Sequence, residues 1–319
     1  MLVIVCFTMY MNMALLDGTA LLTVENSFKN FGNDNDEYKL AYEQSFGFFD
    51  EIPEKEWTML SEITSKHQNH KFMEKPLTHN PGWDKRTAHY RSSAHAWYQN
   101  NYEPNFSCRF EQRIGGNGNG DGPKWICDPH RLQRLISAER KAKNPDAPGC
   151  IVYSIGSNGD FSFESSFQLE FGKETCEIHT FDFGDYEPVM PKGLNIFYHR
   201  WGLSTQVSSN MKSLKETMKI LGHDKLDAID VFKIDCEGCE FKTFQDWLQP
   251  DIPNLMQILV EVHNAPVDKV LPFFDSFEDA GYVRFHKEPN IQFAGGDCLE
   301  YAFLKLDKAF FNTSVVTKK

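Results

Sequence analysis

Between residues 150 and 280, short apolar runs alternate with stretches of helical periodicity, and that alternation restricts the fold more than any other feature of the chain. Runs rich in Val, Ile, Leu and Phe lie at 150–155, 177–182, 194–198, 228–234 and 257–262; helical patterns occupy 161–171, 211–221, 242–248 and 267–280. A strand that is apolar at nearly every position needs cover on both faces, and helices placed between strands supply it. The alternation therefore predicts a parallel sheet inside an α/β domain. After Gly281 the pattern changes, and 282–286 and 298–306 read as two strands with no helix between them. The expected architecture is a Rossmann-like α/β sheet, mostly parallel, with an antiparallel C-terminal strand.

Upstream, the chain divides by composition. Residues 1–16 are apolar except for Thr8 and Asn12. They lack the basic flank of a signal peptide and fall short of the roughly 20 residues of a membrane span. They read as a truncated signal anchor or as a buried N-terminal segment. Residues 17–83 read as a polar stalk, acidic around 33–37, followed by a helix that starts at Pro53 and ends near Gln68. Proline suits a first helical position, and Trp57, Leu60 and Ile63 share one face. Residues 84–149 form an aromatic-rich lead-in, broken by a glycine-rich loop at 115–122 and ending in a helix from Pro129 to about 143. The core is expected over 150–308, with a tail at 309–319.

Hydrophobic residues make up 41% and charged residues 24% of the 319, the proportions of a globular chain. The formal net charge of −12 and the lack of any Lys/Arg-rich run argue against nucleic acid, because neutralising phosphates requires a basic face. The eight cysteines read as disulfides of an oxidising compartment or as buried thiols. With the apolar N-terminus they point to the secretory pathway (Golgi, membrane-anchored or secreted), with a cytoplasmic location as the alternative. Two glycosylation sequons, Asn105-Phe106-Ser107 and Asn312-Thr313-Ser314, add little.

Four blocks carry chemistry. In Tyr153-Ser154-Ile155-Gly156-Ser157-Asn158-Gly159-Asp160, two glycines sit between a strand and a helix, where they permit a tight turn and let backbone approach a ligand at the helix N-terminus. The block lacks the full glycine pattern of nicotinamide enzymes. Asp182 ends the next strand, where a carboxylate can accept from both hydroxyls of a ribose; Asp185 and Glu187 are nearby alternatives. Asp235 and Glu237 follow the 228–234 strand, placed to complement positive charge or to accept a proton. Between and after them, Cys236 and Cys239 have redox or half-zinc spacing, but no second such pair exists, so structural thiols are expected and no metal site. His263 leaves the 257–262 strand, where it can deprotonate a hydroxyl near neutral pH.

In their order and spacing these blocks, with Arg200-Trp201-Gly202-Leu203-Ser204 and Lys233-Ile234-Asp235-Cys236-Glu237-Gly238, resemble the methyltransferase-domain family that includes methyltransferase-like protein twenty-four. The Lys-Ile-Asp-x-Glu-Gly core is also similar to FkbM-type enzymes. Upstream, Cys108-Arg109-Phe110 to Gly115 and Asp121 to Cys127 are similar to the family's lead-in, so the resemblance covers about 90–306. It implies an enzyme that transfers a methyl group from S-adenosyl-L-methionine to an oxygen or nitrogen of an acceptor such as a glycan or small molecule. It assigns Gly156, Gly159, Asp182, Gly202 and Leu203 to cofactor binding, and Asp235 and Glu237 to the reaction side; Ser154 and Ser157 of the glycine block join the cofactor-binding candidates, and His263, read above as a base, joins the catalytic ones. It also implies a Cys108–Cys127 pair. Many methyltransferases carry an acid where this chain has Ser154. The alternatives are a binding module that keeps the fold without catalysis, and a nicotinamide oxidoreductase, which the closing strand pair disfavours.

Overall fold

The computed structural model describes residues 36–67, 98, 101–116, 122–132, 140–142, 145, 148–171, 176–263, 268–290 and 298–312. The apolar segment 1–16 lies outside them, and no described helix is long and apolar enough to cross a membrane. In chain order the elements are α1 (Asp36–Gln44), α2 (Glu54–His67), β1 (Glu111–Ile114), β2 (Lys124–Cys127), β3 (Cys150–Ile155), α3 (Ser162–Phe171), β4 (Cys176–Phe181) and β5 (Ile196–His199). Then follow β6 (Gly202–Leu203), β7 (Met211–Lys212), α4 (Leu214–Leu221), β8 (Ala228–Ile234), α5 (Glu240–Trp247), β9 (Asn254–His263), α6 (Val270–Asp279), β10 (Tyr282–Pro289) and β11 (Cys298–Lys305).

Seven strands form one sheet in the order β10-β11-β9-β8-β3-β4-β5. The five from β9 to β5 are parallel to their neighbours, and β11 inserts antiparallel between β9 and β10. That is the mostly parallel sheet with an antiparallel last strand expected from the sequence. All six residues of β3 are buried, as a central strand covered on both faces requires. Alternation divides them: Ile151, Tyr153 and Ile155 join an apolar layer with Phe232, Trp247 and Phe273, while Cys150 and Val152 join a second layer with Phe163 and Phe167.

The second layer reaches further upstream than the polar composition suggested. Phe48, Phe49, Ile52 and Trp57 are buried in it together with Phe310, so the described part of the expected stalk is packed structure from α1 onward, and the tail residue Phe310 is core. The averaged polarity of 17–50 hid the aromatic pair that anchors it. Arg131 joins this region to the lead-in. It is fully buried, donates to Asp128, Asp50 and Glu51 at 3.2, 2.9 and 2.8 Å, donates to the Phe48 carbonyl at 3.3 Å, and stacks over the Phe49 ring.

The lead-in itself is an antiparallel hairpin of β1 and β2. Gln257 of β9 seats it, accepting from the Cys127 N–H and donating to the Cys127 carbonyl, both at 2.9 Å. Three disulfides join Cys108 to Cys127, Cys150 to Cys176 across the first residues of β3 and β4, and Cys236 to Cys239. The first is the pair that the family resemblance implies. Asn105 of the first sequon is buried and accepts from the Arg284 N–H at 2.8 Å; the second sequon runs beyond the described residues.

Two glycines separate space from conformation. Gly156 and Gly222 have φ of +77° and +74°, but a Cβ on Gly156 would lie 1.6 Å from the Asp235 carbonyl oxygen, whereas one on Gly222 meets nothing within 4 Å. Gly222→Ala should therefore cost only the backbone term, about 1 kcal/mol, and Gly156→Ala roughly 3 kcal/mol or more through the added clash; guanidinium denaturation of both variants compares them. Arg131→Ala, which strands Asp128 without its cation, should lose about 3–5 kcal/mol, read as a lowered urea midpoint.

Candidate functional site

Strand order reverses at β3: the chain moves outward through β4 and β5, then returns to β8 on the other side. Loops leaving neighbouring strands in opposite directions open a crevice at their carboxyl ends, the usual ligand position in open α/β sheets. A cavity of about 540 Å3 lies there, within the range of small-molecule sites. Gly156, Ser157, Asp182, Gly202, Leu203, Asp235, Glu237 and His263 all line it, so eight of the ten residues expected from the sequence converge on one space.

The loop after β3 is tied on both sides. The Gly156 N–H donates to the Phe181 carbonyl at 2.9 Å, its carbonyl accepts from Lys233 Nζ at 3.1 Å, and the Asp235 N–H donates to the Ile155 carbonyl at 3.0 Å. Asp182 is oriented by two backbone donors, the Asn158 N–H to Oδ2 and the Gly184 N–H to Oδ1, each at 2.9 Å. Each carboxylate oxygen has more than one acceptor site, so both can still take a hydroxyl from the cavity. Tyr186 closes over the turn, donating to Asn158 Oδ1 at 2.8 Å, and its ring would lie 2.9 Å from a Cβ on Gly159. Gly159 thus shapes the turn from behind the cavity wall. Ser154 is also behind it. Its side chain belongs to the face that meets α3, is fully buried, and donates to Glu164 Oε1 at 2.5 Å. Phe181, Phe183, Gly202, Leu203 and Met211 make the remaining wall largely apolar, with β6 held parallel to β7.

The opposite end is strongly charged. Lys124, delivered by β2, is buried and contacts Glu300 Oε1 at 2.5 Å and Asp235 Oδ2 at 3.4 Å. Burial opposes its charge, but Glu300, Asp235 and Glu261 outweigh burial and keep it protonated. For Asp235 burial likewise works against ionisation, and Lys124 and Lys233 overcome it, holding the carboxyl below its usual range. Glu261 has the reverse balance: burial, then Glu300 and Asp235, push it up to about 8. Burial raises Glu300 to about 7. His263 lies 3.4 Å from Glu237 and 3.9 Å from Asp235 through Nε2, while Glu240 Oε1 stands 3.3 Å from Nδ1 and accepts from its backbone N–H at 2.8 Å. Burial disfavours the imidazolium, but hydrogen bonds with Cys298 and Glu240 raise it to about 11. Its contacts with Glu240 favour the imidazolium form. Glu237 has φ of +54° and an exposed side chain, on a loop closed by the Cys236–Cys239 bond.

Sequence reasoning passed over Lys124, Glu261 and Glu300. Glu261 and Glu300 were visible as charges inside otherwise apolar β runs, and Lys124 as a charge opening a short one. Only the fold brings the three strands together, and Tyr186 and Cys298, which flank the cavity, carried no local signal.

The family described as Methyltransferase domain matches residues 39–305, most of the chain. "Probable methyltransferase-like protein 24" of Homo sapiens is 26% identical over 148 residues, covering 43% of this chain and 37% of that protein. Its Rattus norvegicus counterpart is 25% identical over 125 residues, covering 36% and 33%. The match thus spans about a third of the length of these curated relatives. Among solved structures, Burkholderia thailandensis 1,6-didemethyltoxoflavin-N1-methyltransferase, with 1,6-didemethyltoxoflavin and S-adenosylhomocysteine bound, overlaps 64% of this chain and all of its own at 12% identity and a TM-score of 0.32. Aeropyrum pernix fibrillarin, in complex with S-adenosyl-L-methionine, overlaps 63% of this chain and 85% of its own at 13% identity and a TM-score of 0.34. With the family match spanning nearly all of the described structure, this chain belongs to the methyltransferase-domain family.

Proposed function

We propose that the protein is an S-adenosyl-L-methionine-dependent methyltransferase whose cofactor sits across the β3–β8 crevice and whose acceptor enters at the end bearing Asp235, Glu261 and His263. The observation that carries this reading is the convergence of an oriented ribose-type carboxylate, an apolar wall and an acid cluster on one cavity at the strand-order reversal. In it, Asp182 takes the ribose hydroxyls, Gly202 and Leu203 flank the adenine, and the backbone of Gly156 and Ser157 meets the amino-acid end. Ser154 and Gly159 support that loop from behind, so their contribution is to its shape.

The bound cofactor supplies a methyl group on a cationic sulfur, which leaves as a neutral thioether. Catalysis then rests mainly on alignment of the acceptor atom with the carbon–sulfur bond. Asp235, kept ionised by Lys124 and Lys233, complements positive charge at that point. Held toward the imidazolium form, His263 serves as a charge partner for Glu237 and Asp235 rather than as the base. Glu261 is the better base: it lines the cavity, is raised to about 8, and can take the proton that an acceptor hydroxyl or ammonium gives up as its oxygen or nitrogen bonds to carbon. The acidic end suits a small or glycan acceptor with hydroxyl or amino groups. Three disulfides support an oxidising, secretory compartment.

Calorimetric titration of the full chain with S-adenosylhomocysteine tests the cofactor site. Micromolar binding is expected, weakened about 10- to 100-fold by Asp182→Ala through loss of charge-assisted hydrogen bonds; no binding by folded wild-type protein would reject the reading. A base must be unprotonated to act, so kcat/KM with any acceptor found should climb as pH rises through about 8. Glu261→Gln should remove that climb and lower turnover roughly 100-fold while leaving S-adenosylhomocysteine affinity intact.

A further inference from the structure

On the sheet face that carries α4, toward the opposite end of β4 from Asp182, a second group of ligand-type side chains lies outside the cavity. Glu177 and His179 stand two apart on β4 and so project from the same face. His223 joins them from the turn that follows α4. His179 Nε2 is 3.1 Å from Glu177 Oε1, and one donor atom from each of the three residues falls within 4.8 Å of the other two.

We propose that Glu177, His179 and His223 form a zinc site that pins the turn after α4 to β4. Two imidazoles and a carboxylate are a donor set that zinc accepts, with a fourth, water-filled position. Ligands about 2.0–2.1 Å from a tetrahedral ion stand about 3.3 Å from one another, close to the 3.1 Å between Glu177 and His179. His223, whose donor lies within 4.8 Å of the other two, then has to close by up to about 1.5 Å, a movement that side-chain rotation can supply.

The surrounding contacts are those that a zinc histidine needs. A ligating imidazole is oriented by a partner on its other nitrogen. His179 Nδ1 has His199 Nε2 at 2.9 Å, and His223 Nδ1 has the Tyr153 hydroxyl at 2.8 Å. In both rings this leaves Nε2 for the ion, which takes the place of the proton between His179 and Glu177. His179 and His223 are buried, while Glu177 is partly exposed and offers a route in from solvent. The site rests on none of the residues assigned to methyl transfer, so its failure would leave that assignment untouched.

The full chain, stripped with a chelator and then freed of it, should bind one equivalent of zinc with a micromolar or lower Kd. Its melting temperature should rise by about 5 °C at saturation. Cobalt in place of zinc should give the visible absorption of a tetrahedral site. His223→Gln and the fold-preserving Glu177→Gln should each weaken zinc binding at least tenfold, and Asp235→Asn, at the separate acid cluster, should leave it unchanged. The proposal is overturned if folded wild-type protein takes up no zinc, if Glu177→Gln binds as tightly as wild type, or if the zinc is lost with Asp235→Asn.

Discussion

The close approach of the β3 and β8 loops is the constraint on which everything else in this molecule turns. Gly156 lies against the Asp235 carbonyl with no room for a methyl group, and the Asp235 N–H closes onto Ile155. This contact sets the width of the crevice, aims the backbone of 156–159 at one end of it and carries Asp235 to the other. A wider seam would separate the two halves of the site. The parallel register of Tyr153 with Phe232 and of Ile155 with Ile234 holds the seam from below.

The charged end of the crevice shows how a buried cluster of acids is kept folded. Taking Asp235, Glu261 and Glu300 out of water without compensation would be prohibitive. Lys124 supplies a cation from beneath and Lys233 a second from β8, while burial and the neighbouring acids favour the protonated forms of Glu261 and Glu300. The cluster thus holds Asp235 toward its ionised form and shifts Glu261 and Glu300 toward their protonated forms, the condition under which neighbouring acids can take different roles.

Much of this was legible in one dimension. Most strands and helices from 150 onward followed from period, because a doubly covered strand such as β3 is apolar at nearly every position; the 211–221 helical pattern starts only at Leu214, since Met211 and Lys212 pair with Gly202 and Leu203 in a short ribbon that period does not show. That Asp182 and Asp235 would line the crevice was legible because each ends an apolar run, and an open sheet places its crevice beyond such ends. Long-range pairing was less accessible. Lys124 and Glu300 are far apart in the chain, and neither marks itself as the other's partner until β2 and β11 are docked. The N-terminal region was misjudged for a different reason. Phe48, Phe49 and Ile52 are few, and their polar surroundings outvote them in any average, yet an aromatic pair and one buried arginine suffice to fasten a segment to a core. Protonation states lay furthest from view. Whether His263 is base or cation depends on Glu240 and Cys298, which reach it from other elements.

The position of Lys124 has a consequence for where the folded unit begins. By strand topology the unit is complete from Cys150 to Lys305. By charge it is not, since a chain started at Cys150 would leave Asp235 and Glu300 facing one another without the ammonium group between them. The hairpin upstream is therefore an internal counterion, locked in place by Cys108–Cys127 and by Gln257. Electrostatics draws the border of the functional unit well before the first strand of its sheet.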